Sequence, residues 1–184
     1  ELHKYRIRQI VFLDHLLLNS GMDYLNYLKS SRIIVDHNER EKIILKKISS
    51  FSQSRQYREN LNPKLLEEVV NIVEDPNLLH VSFNKDYLEI PKEIIISTLE
   101  KHQRYFPIFD SRDRLTNYFF VVANKKDEKK LITQGNKRVV EARLADAKFF
   151  WDKDRSKNLI KQIANLKSVT FYEKLGTIYD KTQR

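Results

Sequence analysis

The chain has 184 residues, 41% of them hydrophobic and 32% charged, which suits one globular domain or two small ones and excludes a disordered tail. Thirty-four Lys and Arg against 25 Asp and Glu leave a net charge of +9, a bias toward a polyanionic partner such as nucleic acid or an anionic membrane surface. The absence of cysteine excludes a disulfide framework, a thiolate metal site and a cysteine nucleophile, and apolar runs such as Tyr118 to Ala123 are far short of the ~20 residues that span a bilayer.

The first apolar stretch, Tyr5 to Leu18, mixes β-branched and aromatic residues with charges, and Ile10 to Leu13 with Leu16 to Leu18 read as a buried strand pair. Asn19-Ser20-Gly21 signals a turn, after which Met22, Leu25 and Leu28 recur at helical spacing behind a Ser20 cap. Arg32 to Val35 reads as a strand. Asp36, with Glu39 three residues on, reads as the start of a helix that carries Ile43, Ile44 and Ile48 and ends near Ser50. Residues 49–62 are polar and serine-rich, which predicts a mobile connector, with a lid or an RNA-contacting loop as the functional alternative.

Pro63 opens a helix whose Leu65, Leu66, Val69, Val70, Ile72 and Val73 make a broad apolar face before Asp75-Pro76 stops it. Leu78 to Phe83 is the next strand, and Pro91 starts a helix ending near Lys101. Tyr105 to Phe109 and Asn117 to Ala123 flank a polar turn, the strongest hairpin signal in the chain; Pro107 places an edge or a bulge in the first strand, and the apolar second strand should be central. From about Thr133 the pattern is helical, with Val140, Leu144, Ala147 and Trp151 on one face. A short helix at Asn158 to Leu166, a strand at Val169 to Tyr172 and a turn at Leu175-Gly176 lead into a final helix. The sum is an α+β fold: a mixed or antiparallel sheet with a hairpin near 104–123, packed by several helices.

No Walker loop, dinucleotide fingerprint, HExxH helix or GxSxG elbow occurs, and the five histidines lie at spacings that give no metal site. Two strings stand out. In His102-Gln103-Arg104-Tyr105-Phe106-Pro107, hydrogen-bonding side chains and aromatics meet at a helix-to-strand junction, where Arg104 would pair with phosphate and Tyr105 stack on a base. The structural alternative puts Tyr105 and Phe106 on opposite sheet faces, with His102 and Gln103 closing the helix. In the second, Gly135 to Phe150, Lys137 and Arg138 sit near the expected helix N-terminus, where the helix dipole adds to their attraction for anions, while Arg143 either contacts RNA or pairs with Asp146. Charge is uneven in the same sense: residues 1–60 net +4, 61–124 net −3 and 125–184 net +8.

Taken together, these strings resemble the beta subunit of the bacterial heterotetrameric glycyl-tRNA synthetase. The resemblance is carried by Ile90-Pro91-Lys92-Glu93 with Ile96-Ser97-Thr98, by His102 to Pro107, by Gly135-Asn136 through Arg143 to Phe150, and by Glu173 to Thr177 with Asp180-Lys181. It implies a cytoplasmic ligase that joins glycine to its tRNA with ATP and Mg. In that family the catalytic domain lies in a separate alpha subunit, and the beta subunit is chiefly the tRNA-binding partner. No catalytic residue, metal or cofactor is therefore expected in this stretch, which would be inactive alone. The implied partners are the alpha subunit, tRNA(Gly) and a second beta subunit, with no membrane. The resemblance also implies an internal fragment in which 1–172 form the α+β domain and 173–184 begin a truncated HD-type helical domain. Two other functions stay open: a purely structural inter-subunit scaffold using the apolar face of Pro63 to Val73, and an editing-type hydrolase with His102 as base.

Overall fold

A computed structural model describes residues 21–59 and 61–183. The strand pair expected before Asn19 and the Ser20 cap lie outside the described residues. Helix α1 (Gly21–Ser30) buries Leu28 and leaves Leu25 out. Arg32 to Val35 form no strand. Arg32 turns the chain at φ 59°, and Ile33 to Val35 run without a ladder, held by the Ile34 N–H on the Glu74 carbonyl (3.0 Å) and by the Arg40 guanidinium, which donates to the carbonyls of Ile34 (2.7 Å), Val35 (2.8 Å) and Val70 (3.0 Å).

Asp36 caps α2 (His37–Arg55), accepting from the N–H groups of Asn38 and Glu39. The helix does not stop at Ser50, so the first half of the expected connector is helical. Ile44 and Ile48 are buried and Phe51 packs on the same core, so each further turn is fixed by tertiary contact against the weak propensity of its serines. Ser52 is itself buried, and Ser54 donates to the Phe51 carbonyl. Gln56, at φ 56°, closes the helix in the left-handed region and β1 (Tyr57–Arg58) follows at once.

Asn62 caps α3 (Pro63–Ile72), and β2 (Asn77–Ser82) follows. After a 3-10 turn at Lys85–Glu89, α4 (Lys92–Ser97) widens into a π-helical turn at Thr98–His102. Strands β3 (Phe106–Asp110) and β4 (Leu115–Ala123) form the expected hairpin. Its turn is built on Asp110, whose carboxylate accepts from the N–H groups of Arg112 and Arg114 and from the Arg114 guanidinium, all at 2.7–2.9 Å. Those bonds, led by the one from the Arg114 backbone, hold the Asp110 carboxyl below its ordinary value.

The sheet order is β1-β3-β4-β2 with every pair antiparallel, as the α+β reading requires. β4 is central, having a neighbour on each side. Pro107 sits where the register slips between Pro107 and Phe109, and β1 reaches only Phe109 and Asp110, so its missing N–H costs no ladder bond. Both sheet faces are covered. Phe120 of β4 and Phe106 and Ile108 of β3 meet α2 and α3, while Phe119 and Val121 meet α4, the π turn and α5 (Leu131–Arg155). The alternation of β4 thus feeds two cores, each buried aromatic contributing about 1.5–3 kcal/mol.

On α5, Val140 and Leu144 are fully buried and Ala147 and Trp151 pack beside them, the face the spacing predicts. The chain continues through α6 (Leu159–Gln162) and a 3-10 turn at Ile163–Ser168. Strands β5 (Thr170–Tyr172) and β6 (Gly176–Thr177) pair as a small hairpin that bridges the expected domain boundary at 172/173. The turn needs Gly176: at φ 87° an added Cβ would lie 2.6 Å from an Asp180 carboxylate oxygen. Thr177 and Asp180 form a capping box at the head of α7 (Ile178–Thr182). Among the described residues no helix is long and apolar enough to cross a membrane, and no group of His, Asp or Glu is arranged to hold a metal ion.

Candidate nucleic-acid interface

The two strings singled out above meet in space. Tyr105 is buried beneath α5, its ring stacked on Phe119 at 5.3 Å, and its hydroxyl donates to the Asn136 side chain. Burial pushes the Tyr105 phenol up. Phe106 points to the opposite core, so the two aromatics divide between the sheet faces and Tyr105 serves as packing.

Arg104 closes the helix before it. Its φ of 58° turns the backbone, its N–H donates to the Glu100 carbonyl (3.2 Å), and the Tyr105 N–H reaches back to Leu99 (2.9 Å). The Arg104 guanidinium donates to the Lys101 carbonyl and pairs with Glu68 of α3. This arginine is occupied by helix closure and an ion pair, the work the structural alternative gave to His102 and Gln103. His102 is exposed and Gln103 half-buried at the rim of the same junction.

Lys137 and Arg138 do not lie at a helix N-terminus. α5 begins at Leu131, so they are in its second turn, beyond the reach of the helix dipole. The N-terminus is already satisfied by Asp127, whose carboxylate accepts from the N–H groups of Ile132 (3.0 Å) and Thr133 (2.7 Å). Desolvation pushes that carboxyl up, but the bonds from Thr133, Ile132 and Leu131 outweigh it and its pKa ends below the ordinary value. The capping residue lies four positions ahead of the helix, in a lysine-rich loop that reads as simple charge.

What remains on α5 is side-chain charge. Lys137 lies 3.8 Å from Glu141, whose carboxylate also accepts from the Asn84 N–H. Arg138 and Arg143 are exposed, and among the described residues neither forms an ion pair. The Arg143–Asp146 pair expected from spacing is therefore not made: with arginine on the N-terminal side at i,i+3 in water, the gain is too small to fix two side chains. Further along, Lys148 pairs with Glu89 (3.0 Å) and Asp152 (3.4 Å), while Phe149 and Phe150 are 61% and 58% exposed. Lys153 and Arg155 lie over the rings of Phe149 and Trp151, where they remain open to an anion.

Fold and surface define a class: a three-layer α+β module that presents unpaired cations and aromatic rings from the outer face of one long helix. A family model described as glycyl-tRNA synthetase beta subunit matches residues 4–184, and the chain belongs to that family. It is 41% identical over 162 residues to the glycine–tRNA ligase beta subunit of Dictyoglomus thermophilum, a match that covers 88% of this chain and 24% of that protein. The proteins of the same name from Listeria monocytogenes serotype 4b (strain CLIP80459) and Lactobacillus delbrueckii subsp. bulgaricus are 36% and 37% identical over 91% and 93% of this chain, and over 24% and 25% of their own lengths. The chain thus spans about a quarter of the relatives it matches.

Proposed function

We propose that this module is a noncatalytic part of a glycine–tRNA ligase beta subunit and that it positions tRNA(Gly) by laying the outer face of α5 against the phosphate backbone. Catalysis, with ATP and Mg, belongs on this reading to the alpha subunit of a cytoplasmic heterotetramer. The observation that carries it is the pair Arg138 and Arg143, exposed and without a carboxylate partner among the described residues, in a third of the chain with a net charge of +8. Phosphate contacts need cations not already spent, and Arg104 and Lys137 are spent in part.

The test is the intact beta subunit assembled with its alpha subunit. Replacing Arg138 and Arg143 by Glu is expected to weaken tRNA binding by about tenfold or more and to flatten its salt dependence by about two units of slope. Lys137→Glu should do less. Unchanged binding and slope would end the proposal.

A scaffold role is the second reading, but its motivation moves. The face of Pro63 to Val73 is absorbed by the core, where Leu65, Leu66, Val69, Val70 and Val73 are buried, while Ile72 is left exposed. The surface that favours a scaffold is on α5 instead: Gly135, Ala142 and Phe149 recur at seven-residue intervals, and the space above Gly135 is open to another backbone. If Phe149→Ser with Phe150→Ser loosens the tetramer while tRNA binding holds, the scaffold reading takes precedence.

A further inference from the structure

Away from α5, a cleft of about 670 Å³ opens between α2 and the edge strand β2. Its walls carry Lys46, Lys47, Ser50, Phe51 and Ser54 from α2 and Asn77 from β2, and among the described residues no carboxylate lines it. We propose that this cleft seats a nucleotide of single-stranded RNA, with the base against Phe51 and the phosphate on Lys46. The site is separate from the outer face of α5 and does not depend on it.

Several features favour this occupant. Its volume falls in the range of small-ligand sites. Phe51 lines the cleft and is held in place by the rings of His80 at 4.7 Å, Phe120 at 5.4 Å and Tyr57 at 6.4 Å, so little freedom is lost when a base packs against it. Lys47 is tied to the Pro76 carbonyl, whereas Lys46 is exposed at the rim. The Ser50 and Ser54 hydroxyls and the Asn77 amide add groups able to meet a base edge or a ribose 2′-OH. A strand-adding peptide is a poorer fit, because only Asn77 and Leu78 of the six-residue β2 face the cleft. Ser50 and Ser54, two of the serines that made this stretch read as a loop, are on the folded helix part of the cleft wall.

The experiment is fluorescence anisotropy of fluorescein-labelled hexaadenylate with the intact beta subunit, together with photo-cross-linking of a hexauridylate bearing 5-iodouracil. Lys46→Glu, at an exposed position, is expected to weaken hexamer binding about tenfold or more, and Phe51→Leu by about five- to tenfold. An unchanged melting temperature for Lys46→Glu is the control of folding. Cross-links should map to residues 43–54. The proposal is overturned if Lys46→Glu leaves binding unchanged, if the cross-links map elsewhere, or if adenosine monophosphate binds as tightly as the hexamer. Arg138→Glu with Arg143→Glu separates the two surfaces. If these weaken whole-tRNA binding while Lys46→Glu has no effect on the hexamer, the α5 reading stands and the cleft falls; the opposite pattern keeps the cleft and removes α5 as the tRNA surface.

Discussion

Residues 61–124 and 125–184 of the same chain solve opposite problems. The first carries a net charge of −3 and supplies three of the four sheet strands and most of both cores. Its charges are largely used in building: Asp110 makes the hairpin turn, Glu68 holds Arg104, and Glu89 reaches across to Lys148. The second has a net charge of +8 and, among the described residues, contributes just Val140 and Leu144 as fully buried ones. Its cations exceed what its own carboxylates can pair. Stability is concentrated in one region and electrostatic potential in the other, so a substitution should change one property and spare the other.

The largest effect is expected in the sheet body. Phe119→Ala removes a fully buried ring stacked on Tyr105 and Phe83 and should cost about 3–5 kcal/mol of unfolding free energy in a denaturant titration. A loss under about 1 kcal/mol would mean that the core is not organised around β4. Leu144→Ala probes the apolar seam between the two regions, and a loss of about 2–5 kcal/mol would show that α5 is docked through that face. Tyr105→Phe deletes the hydroxyl bonded to Asn136 while keeping the ring, with an expected loss of about 0.5–1.5 kcal/mol. In the basic region, Arg138→Glu should change the melting curve by no more than about 0.5 kcal/mol, as for other surface positions.

A pH experiment sharpens the comparison further. His80 lies among Phe51, Tyr57, Tyr118 and Phe120, and its buried Nε2 has no hydrogen-bond partner among the described residues. Burial first, and then the nearby Arg55, push its pKa below 6.5. Because the folded state prefers the neutral ring, stability is fully present above the unfolded value of 6.5 and falls as pH drops from there toward the folded value. His80→Phe should remove that slope in thermal melts between about pH 7 and 5. An unchanged slope would place the acid sensitivity elsewhere.

Much of the sheet body is legible from one sequence because its signals are local. Pro63 marks a helix start, Asp110 to Arg114 a turn, and the apolar run ending at Ala123 a central strand, and each is where those residues put it. What cannot be read depends on distant partners. The serines of α2 look like a loop until Ile44, Ile48 and Phe51 are seen fixed on the sheet. Arg32 to Val35 look like a strand because nothing nearby reveals that the Ile34 N–H goes to the Glu74 carbonyl beyond α3. The site follows the same rule. The HQRYFP string correctly marks a junction, but only the fold tells that Tyr105 is buried and Arg104 occupied, whereas the exposure of Arg138 and Arg143 follows directly from the helical spacing of Val140 and Leu144.

The central proposal is that the tRNA phosphate backbone lies against the outer face of α5. It is tested most directly by cross-linking 4-thiouridine-substituted tRNA(Gly) to the intact ligase and mapping the joined peptides by mass spectrometry. The account predicts adducts on the outer face of α5, between Leu131 and Arg155, that disappear when Arg138 and Arg143 are replaced by Glu. Adducts confined to residues 61–124, or α5 adducts indifferent to those replacements, would contradict it.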